Sequence, residues 1–392
     1  MPPGREYYPA MGRRLAGWAA CGWLALCASA TASGYSEFNA GIAANAIAQC
    51  DRAVPHLTAA IAAPDLLTNL MPVALLVRGQ CYARQKKFDA AIADFDRSLA
   101  LRPGYIDAYL GRGYARAKSG AFDAALADFD AVIAARPDLA IGLSGRSFVH
   151  LRQKQYAALV DDLTRQAEVD DDEDARIYVL LADANMLKGD LVAASGDADK
   201  LVSLAPDSTL GYVIRGRVNI HQTRYDRAEE AFNRALRLQP ESVSALFGMG
   251  IAHWSAREFV DAAHSFDSAA SLAPKDAYSL LWLGIARATA HKSNDDLPAR
   301  AKTFDLAEWP GPLVSLYGGS STPEAAVAAA RAGDPDDVAL HVCEAEFYAG
   351  EWQLQGDAKD AAVALLSKAA QDCAPNDTEW DAAGIELKRL RS

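Results

Sequence analysis

The chain has 392 residues, 51% of them hydrophobic and 23% charged, with a formal net charge of -12. That apolar content supports a sizeable folded core and excludes an intrinsically disordered chain. The acidic balance excludes a protein that grips a nucleic-acid backbone, an affinity supplied by clustered Lys and Arg.

Arg13 and Arg14 precede an apolar run from Leu15 to Cys27, and small residues follow from Ala28 to Ser33. Charge, apolar stretch and small residues in that order predict a secretory signal over residues 1–32, cut after Ala30 or Ala32. The apolar run is shorter than the ~20 residues a spanning helix needs, so no transmembrane span is expected. An uncleaved anchor is the alternative. Cys27 has the setting of a lipid-anchor signal, but Leu26 is bulky where that signal takes a small residue, so lipidation there is the lesser reading. The protein is expected to be exported, periplasmic or secreted.

A small residue then recurs at Gly79, Gly113, Ser147, Ala182, Gly216, Gly250 and Gly284, in steps of 34, 34, 35, 34, 34 and 34. Further columns keep that register: Ala91, Ala125, Leu159, Ala194, Ala228 and Ala262, and four residues on, Phe95, Phe129, Leu163, Ala198, Phe232 and Phe266. Most units close on a proline: Pro103, Pro137, Pro206, Pro240 and Pro274. Each unit reads as two amphipathic helices, A and B, joined by a short turn. The small residue lies where helix B approaches helix A, and the Ala and Phe columns share one face of helix B. One such hairpin cannot bury its own apolar face, so neighbours stack into a solenoid.

The pattern resembles the tetratricopeptide repeat (TPR), whose 34-residue unit runs W-x2-L-G-x2-Y, A-x3-F, P. Tyr109, Arg112, Gly113, Ala125, Phe129 and Pro137 stand in those places in one unit, and Leu246, Met249, Gly250, Ala262, Phe266 and Pro274 in another. The resemblance implies an all-α superhelical solenoid over 72–290, with units at 72–105, 106–139, 140–174, 175–208, 209–242, 243–276 and a half unit at 277–290. Arg78, Arg112, Arg146 and Arg215 replace the family's Leu, which predicts ion pairs with the acidic B helices (Asp94, Asp96, Asp128, Asp130).

The ends depart from the pattern. Ala46–Val54 copies Ala91–Leu99, so residues 33–71 are read as a capping helix and a linker broken by Pro55, Pro64 and Pro72. Asp295–Pro298 damages helix B of the seventh unit and Trp309-Pro310-Gly311-Pro312 interrupts helix, making 291–341 an irregular linker with short helices. Thr322-Pro323-Glu324 reads as an N-cap, and Gly333 ends that helix. Residues 342–392 read as a TPR-like hairpin and a closing helix, so the fold ends in an irregular helical C-terminal cap. Trp309-Pro310, Leu316-Tyr317-Gly318, Glu344, Phe347-Tyr348, Gly350 and Gly356-Asp357 resemble the C-terminal part of NlpI-like bacterial envelope TPR proteins. That resemblance implies export to the envelope and adaptor work for envelope proteases or peptidoglycan hydrolases.

Hairpin geometry places Cys343 beside Cys373, and an exported chain would bridge them. Cys50 stands in the Phe column facing Cys81; a second bridge and a pair of buried thiols are equal readings. The seven histidines are isolated, and no Walker loop, G-x-S-x-G or H-E-x-x-H pattern occurs. No catalytic, cofactor or metal residues are therefore assigned. Asp170–Asp174 lacks the glycine and terminal glutamate of a calcium loop and reads as a solvated turn. Asn376-Asp377-Thr378 is a formal glycosylation sequon.

In the TPR family, positions 2, 5, 9 and 12 of helix A line a peptide groove. Here those positions imply a partner-binding set of Tyr114, Arg217, Phe247, Ile251, Trp254, Tyr278 and Leu281, apolar and aromatic in character. The competing reading packs Phe247, Trp254 and Trp282 under the C-terminal helices. The expectation is a non-enzymatic scaffold or adaptor binding an extended or helical segment of a protein partner. An enzyme or small-ligand binder with its site in 291–340 is the alternative, and self-assembly through the terminal helices is a third reading.

Overall fold

The computed structural model describes residues 33–169, 174–333, 337–373 and 377–391. The leader with Cys27, the acidic residues 170–173 and Asn376 lie outside the described residues. Regular structure among the described residues is helical throughout, and it divides into two compact units that meet at Gln155 and Tyr156. Each is a stack of helix hairpins, as a solenoid of TPR units requires.

The first unit holds α1 (Gly34–Ala46), α2 (Cys50–Ala62), α3 (Met71–Arg84), α4 (Phe88–Leu101), α5 (Ile106–Lys118), α6 (Phe122–Ala135) and α7 (Ala140–Arg152). The expected single capping helix is a complete hairpin instead. Pro55 lies inside α2 rather than breaking it. Pro55 is exposed to solvent, while Ala53, Leu57 and Ala60 are fully buried against Phe38.

The second unit holds α8 (Tyr156–Val169), α9 (Ala175–Lys188), α10 (Leu191–Leu204), α11 (Thr209–His221), α12 (Tyr225–Leu238), α13 (Val243–Ser255), α14 (Phe259–Leu272) and α15 (Ala277–Thr289). Three short helices follow: α16 (Leu297–Ala301), α17 (Gly311–Tyr317) and α18 (Pro323–Arg331). The unit closes with α19 (Val338–Gln355), α20 (Lys359–Asp372) and α21 (Thr378–Arg391). Thr322 caps α18, its hydroxyl accepting from the Ala325 N–H.

The repeating contact is a phenylalanine of helix B held between two A helices. A Cβ added to Gly113 would lie 2.9 Å from the Phe129 ring, and one on Gly145 of the next helix A would strike the same ring. Phe95 sits in the same way between Gly79 and Gly111, and Phe232 between Gly216 and Gly248. Where Ala198 replaces the ring, the following helix A supplies Ile214 to the same cluster in place of glycine. The volume of each layer is kept by exchanging bulk between the facing helices.

Two other features repeat in register. The A–B turn carries a left-handed residue at Lys86, Gly120, Lys154, Gly189, Thr223, Arg257 and His291. The arginines that replace the family's Leu make the expected ion pairs. Arg78 forms a two-pronged pair with the buried Asp94, both contacts at 2.7 Å. Arg112 joins Asp128 of its own hairpin to Asp96 of the preceding one, both at 2.6 Å. Arg146 pairs with Asp130 and Arg215 with Asp199.

After α15 the missing helix B is replaced rather than lost. A Cβ on Gly284 would lie 2.8 Å from the Tyr317 ring, so α17 presents an aromatic where Phe266 serves Gly250. The next unit resumes at α19, where Gly350 meets Leu366 of α20. Cys343 and Cys373 are bridged across that hairpin. Cys50 and Cys81 are not: both remain buried thiols. Burial, then contact with Cys50, pushes the Cys81 thiol up to about 12. Its Sγ donates to Asn45 Oδ1, and Arg84 Nη1 donates to Cys50 Sγ, so both groups are satisfied unbridged.

Replacing Phe129 with Ala should cost about 3–5 kcal/mol, because two glycines leave nothing to refill the space; urea denaturation followed by circular dichroism would measure it. Thr223 is β-branched at φ 57. Thr223→Gly should therefore raise stability by about 0.5–1 kcal/mol in the same experiment, the relief of left-handed strain exceeding the entropy cost of glycine.

Candidate protein-binding surface

The helix A positions assigned to a groove fall into two classes. In the first unit, Tyr114 is half-buried, its ring edge-on to Phe129 at 5.0 Å and 6.4 Å from Phe148. Lys118 places its ammonium 5.1 Å above the Phe148 ring, a contact worth about 0.5–1 kcal/mol at an exposed site. Leu151, one turn further along α7, is exposed. These residues form an accessible aromatic and aliphatic strip with one cation at its edge. Leu110 and Ala117 lie beneath it.

In the second unit Arg217 is half-buried and pairs with Asp183 of α9 at 2.9 Å. Beyond it the groove positions are covered. Ile251, Trp254 and Leu281 are buried, with Leu281 at 0% and Trp254 at 1% exposure. Trp254 meets Trp282 edge-on at 5.4 Å, and Trp282 stacks on Phe266 at 5.6 Å and meets Phe347 in a tilted contact at 5.4 Å. Phe247 is half-buried, edge-on to Phe266. Tyr278 donates its hydroxyl to Glu344 of α19 at 3.0 Å. The set expected to grip a partner is thus corrected: Ile251, Trp254, Tyr278 and Leu281 face the chain's own helices. Left open, Tyr278 and Trp282 would lose the burial that Phe347 and Tyr348 of α19 give them.

α21 extends this covering. Tyr348 donates to Glu379 at 2.9 Å, and His221 Nδ1 lies 2.5 Å from Asp381. A cleft of about 210 Å³ lies beside that pair, among Ile220, Tyr225, Trp380, Ile385 and Lys388.

Family models of the tetratricopeptide repeat match residues 79–142, and residues 38–106, 215–277 and 247–294. The chain is a tetratricopeptide repeat protein. The match from residue 38 takes the α1/α2 hairpin into the TPR array. Among solved structures, the C-terminal part of a TPR repeat-containing protein from Cytophaga hutchinsonii aligns with TM-score 0.50 and 15% identity, covering 63% of this chain and 99% of that one. A TPR protein from Parabacteroides merdae aligns with TM-score 0.47 and 18% identity, over 64% of this chain and 98% of that one. MamA from Desulfovibrio magneticus gives 0.39 and 22%, over 44% and 97%. At 15% identity the likeness to the Cytophaga hutchinsonii protein is one of fold alone. No curated protein matches the chain.

The C-terminal helices of the second unit also bury carboxyl groups that belong to no sequence motif. Burial, then the like charge of Glu379, pushes Glu344 up to about 7 against the donors Trp309 and Tyr278. Burial likewise raises Glu379, Glu351 and Glu346. The signal in the sequence was spacing: Glu344 and Glu351 on one helix, Glu379 and Glu386 on another, each pair seven residues apart and on one helical face. Without the tertiary contact, such glutamates look like solvent-facing residues.

Burial separates two roles that the sequence had joined. Trp254→Ala should destabilise the second unit by about 3–5 kcal/mol, whereas Lys118→Ala should change stability by less than about 1 kcal/mol. Denaturation midpoints of the two variants beside the parent would check this.

Proposed function

We propose that this TPR protein is an exported, non-enzymatic scaffold that binds an extended or helical segment of a partner protein across the helix A face of its first unit. The observation that carries the reading is the contrast between the two units. The Tyr114–Phe148 strip with Lys118 and Leu151 is accessible, while in the second unit Trp254 and Trp282 are buried, Trp282 against Phe347 of α19. Accessible aromatic and aliphatic side chains at helical spacing suit a peptide that buries one face. Lys118 at the rim favours acidic residues beside the apolar ones in the bound segment.

Export is supported by the order of charge, apolar run and small residues over 1–32, and by the bridge between Cys343 and Cys373, which persists in oxidising compartments. The resemblance of the C-terminal residues to NlpI-like proteins supports an adaptor role in the bacterial envelope, with proteases or peptidoglycan hydrolases as the partner class. The competing assignment, an enzymatic or ligand site in 291–340, is disfavoured by how that segment uses its side chains. Leu313, Val314 and Leu316 are buried at 0% exposure, and Tyr317 fills the space at Gly284.

Affinity capture from envelope extracts, read by quantitative mass spectrometry, tests the proposal. Tyr114→Asp combined with Phe148→Asp should reduce recovery of specific partners more than tenfold, the effect of losing one hot-spot contact or more. Equal recovery by a variant that keeps its helical circular dichroism would refute the assignment, as would turnover of peptide or peptidoglycan by the purified protein alone.

A further inference from the structure

α21 packs against both α20 and α19 in the second unit, and its contact with α19 carries acids where helix contacts ordinarily carry aliphatics. Glu344 and Glu351 lie two turns apart on α19; Glu379 and Glu386 repeat that spacing on α21. All four are buried, at 6%, 3%, 9% and 1% exposure. Glu379 acts on Glu344 as a like charge, and Glu386 acts on Glu351.

The donors around them are few. Tyr278 and Trp309 donate to Glu344, Tyr348 donates to Glu379, and Arg389 donates to Glu386. Glu351 has one carboxyl oxygen with no donor. Other ionisable neighbours are Tyr317 of α17 beside Glu351, Asp377 beside Glu379 with Tyr156 of α8 facing it, and Asp381 held by His221 of α11. Set against Arg389, the side-chain cation that the described residues place on them, four ionised carboxylates would leave a net negative charge in a low-dielectric contact. That arrangement is strongly unfavourable unless protons are retained.

We propose that α21 is a proton-linked latch: it lies closed on α19 while the facing glutamates keep protons, and their ionisation releases it from the second unit. Release uncovers Tyr348, Ile220 and Tyr225, so proton activity sets how much apolar surface the second unit presents. The inference does not depend on the binding face of the first unit.

The direction follows from linkage. Burial and like charge raise Glu344, Glu351 and Glu379 in the closed form, Glu344 to about 7, above the ordinary glutamate value of about 4.3 that a released helix would restore. Closure is therefore strongest below that ordinary value and weakens as pH climbs to about 7. Each linked proton shifts the equilibrium about tenfold per pH unit.

Hydrogen exchange on the full-length protein tests this. After correction for intrinsic chemical rates, the protection of α21 amides relative to α13 amides should fall at least tenfold between about pH 5.5 and 7.5. Combining Glu344→Gln with Glu351→Gln should flatten that slope and leave α21 protected at the upper pH. A constant ratio in the parent protein overturns the proposal, as does loss of protection in α13 and α21 together or an unchanged slope in the glutamine variant. The parent profile alone decides the matter should the variant not fold.

Discussion

A phenylalanine ring held between glycines of two successive A helices is the contact on which this molecule depends. It joins the helices of one hairpin and also joins that hairpin to the next, so one side chain provides both the local and the propagating interaction. Phe129 between Gly113 and Gly145 shows why both glycines matter, since a methyl group on either would overlap the ring. Because the ring is clamped on both sides, each layer fixes the distance to its neighbour. The interdependence of adjacent repeats in a solenoid follows from this.

The same economy explains how the array ends. Helix B of the seventh unit is interrupted, yet the space at Gly284 has to be filled, and Tyr317 reaches it from α17. At α19 the chain resumes hairpin packing and contributes Phe347 and Tyr348 to an aromatic cluster with Trp254, Trp282 and Phe266. Closing the second unit in this way places carboxyl groups between α19 and α21. Their burial requires protons or donors, which ties the closing helix to the solution around it.

Much of the architecture was legible because it rests on local regularities. The 34-residue step in glycine, alanine and phenylalanine reports helix–helix approach directly. The arginine substitutions were readable as ion pairs because Arg112 and Asp128 lie at a fixed offset within one hairpin. Cys343 and Cys373 were readable for the same reason. The α1/α2 hairpin was less so: Pro55 suggests a break, but burial of Leu57 and Ala60 outweighs one lost hydrogen bond.

The candidate surface divides along the same line. Its helix A positions follow from the repeat register, which picks out Tyr114 and Ile251 as equivalent places. Only the tertiary structure distinguishes them: Tyr114 is half-buried, whereas Ile251 is buried in a core to which α15, α17 and α19 contribute. The sequence by itself determined the repeat, the hairpins and the residues that pack within each hairpin, since those depend on helical periodicity and short-range sterics. Which aromatic face stays open, and that glutamates at matching spacing meet in the interior, was decided by long-range contacts whose free energy no local pattern encodes.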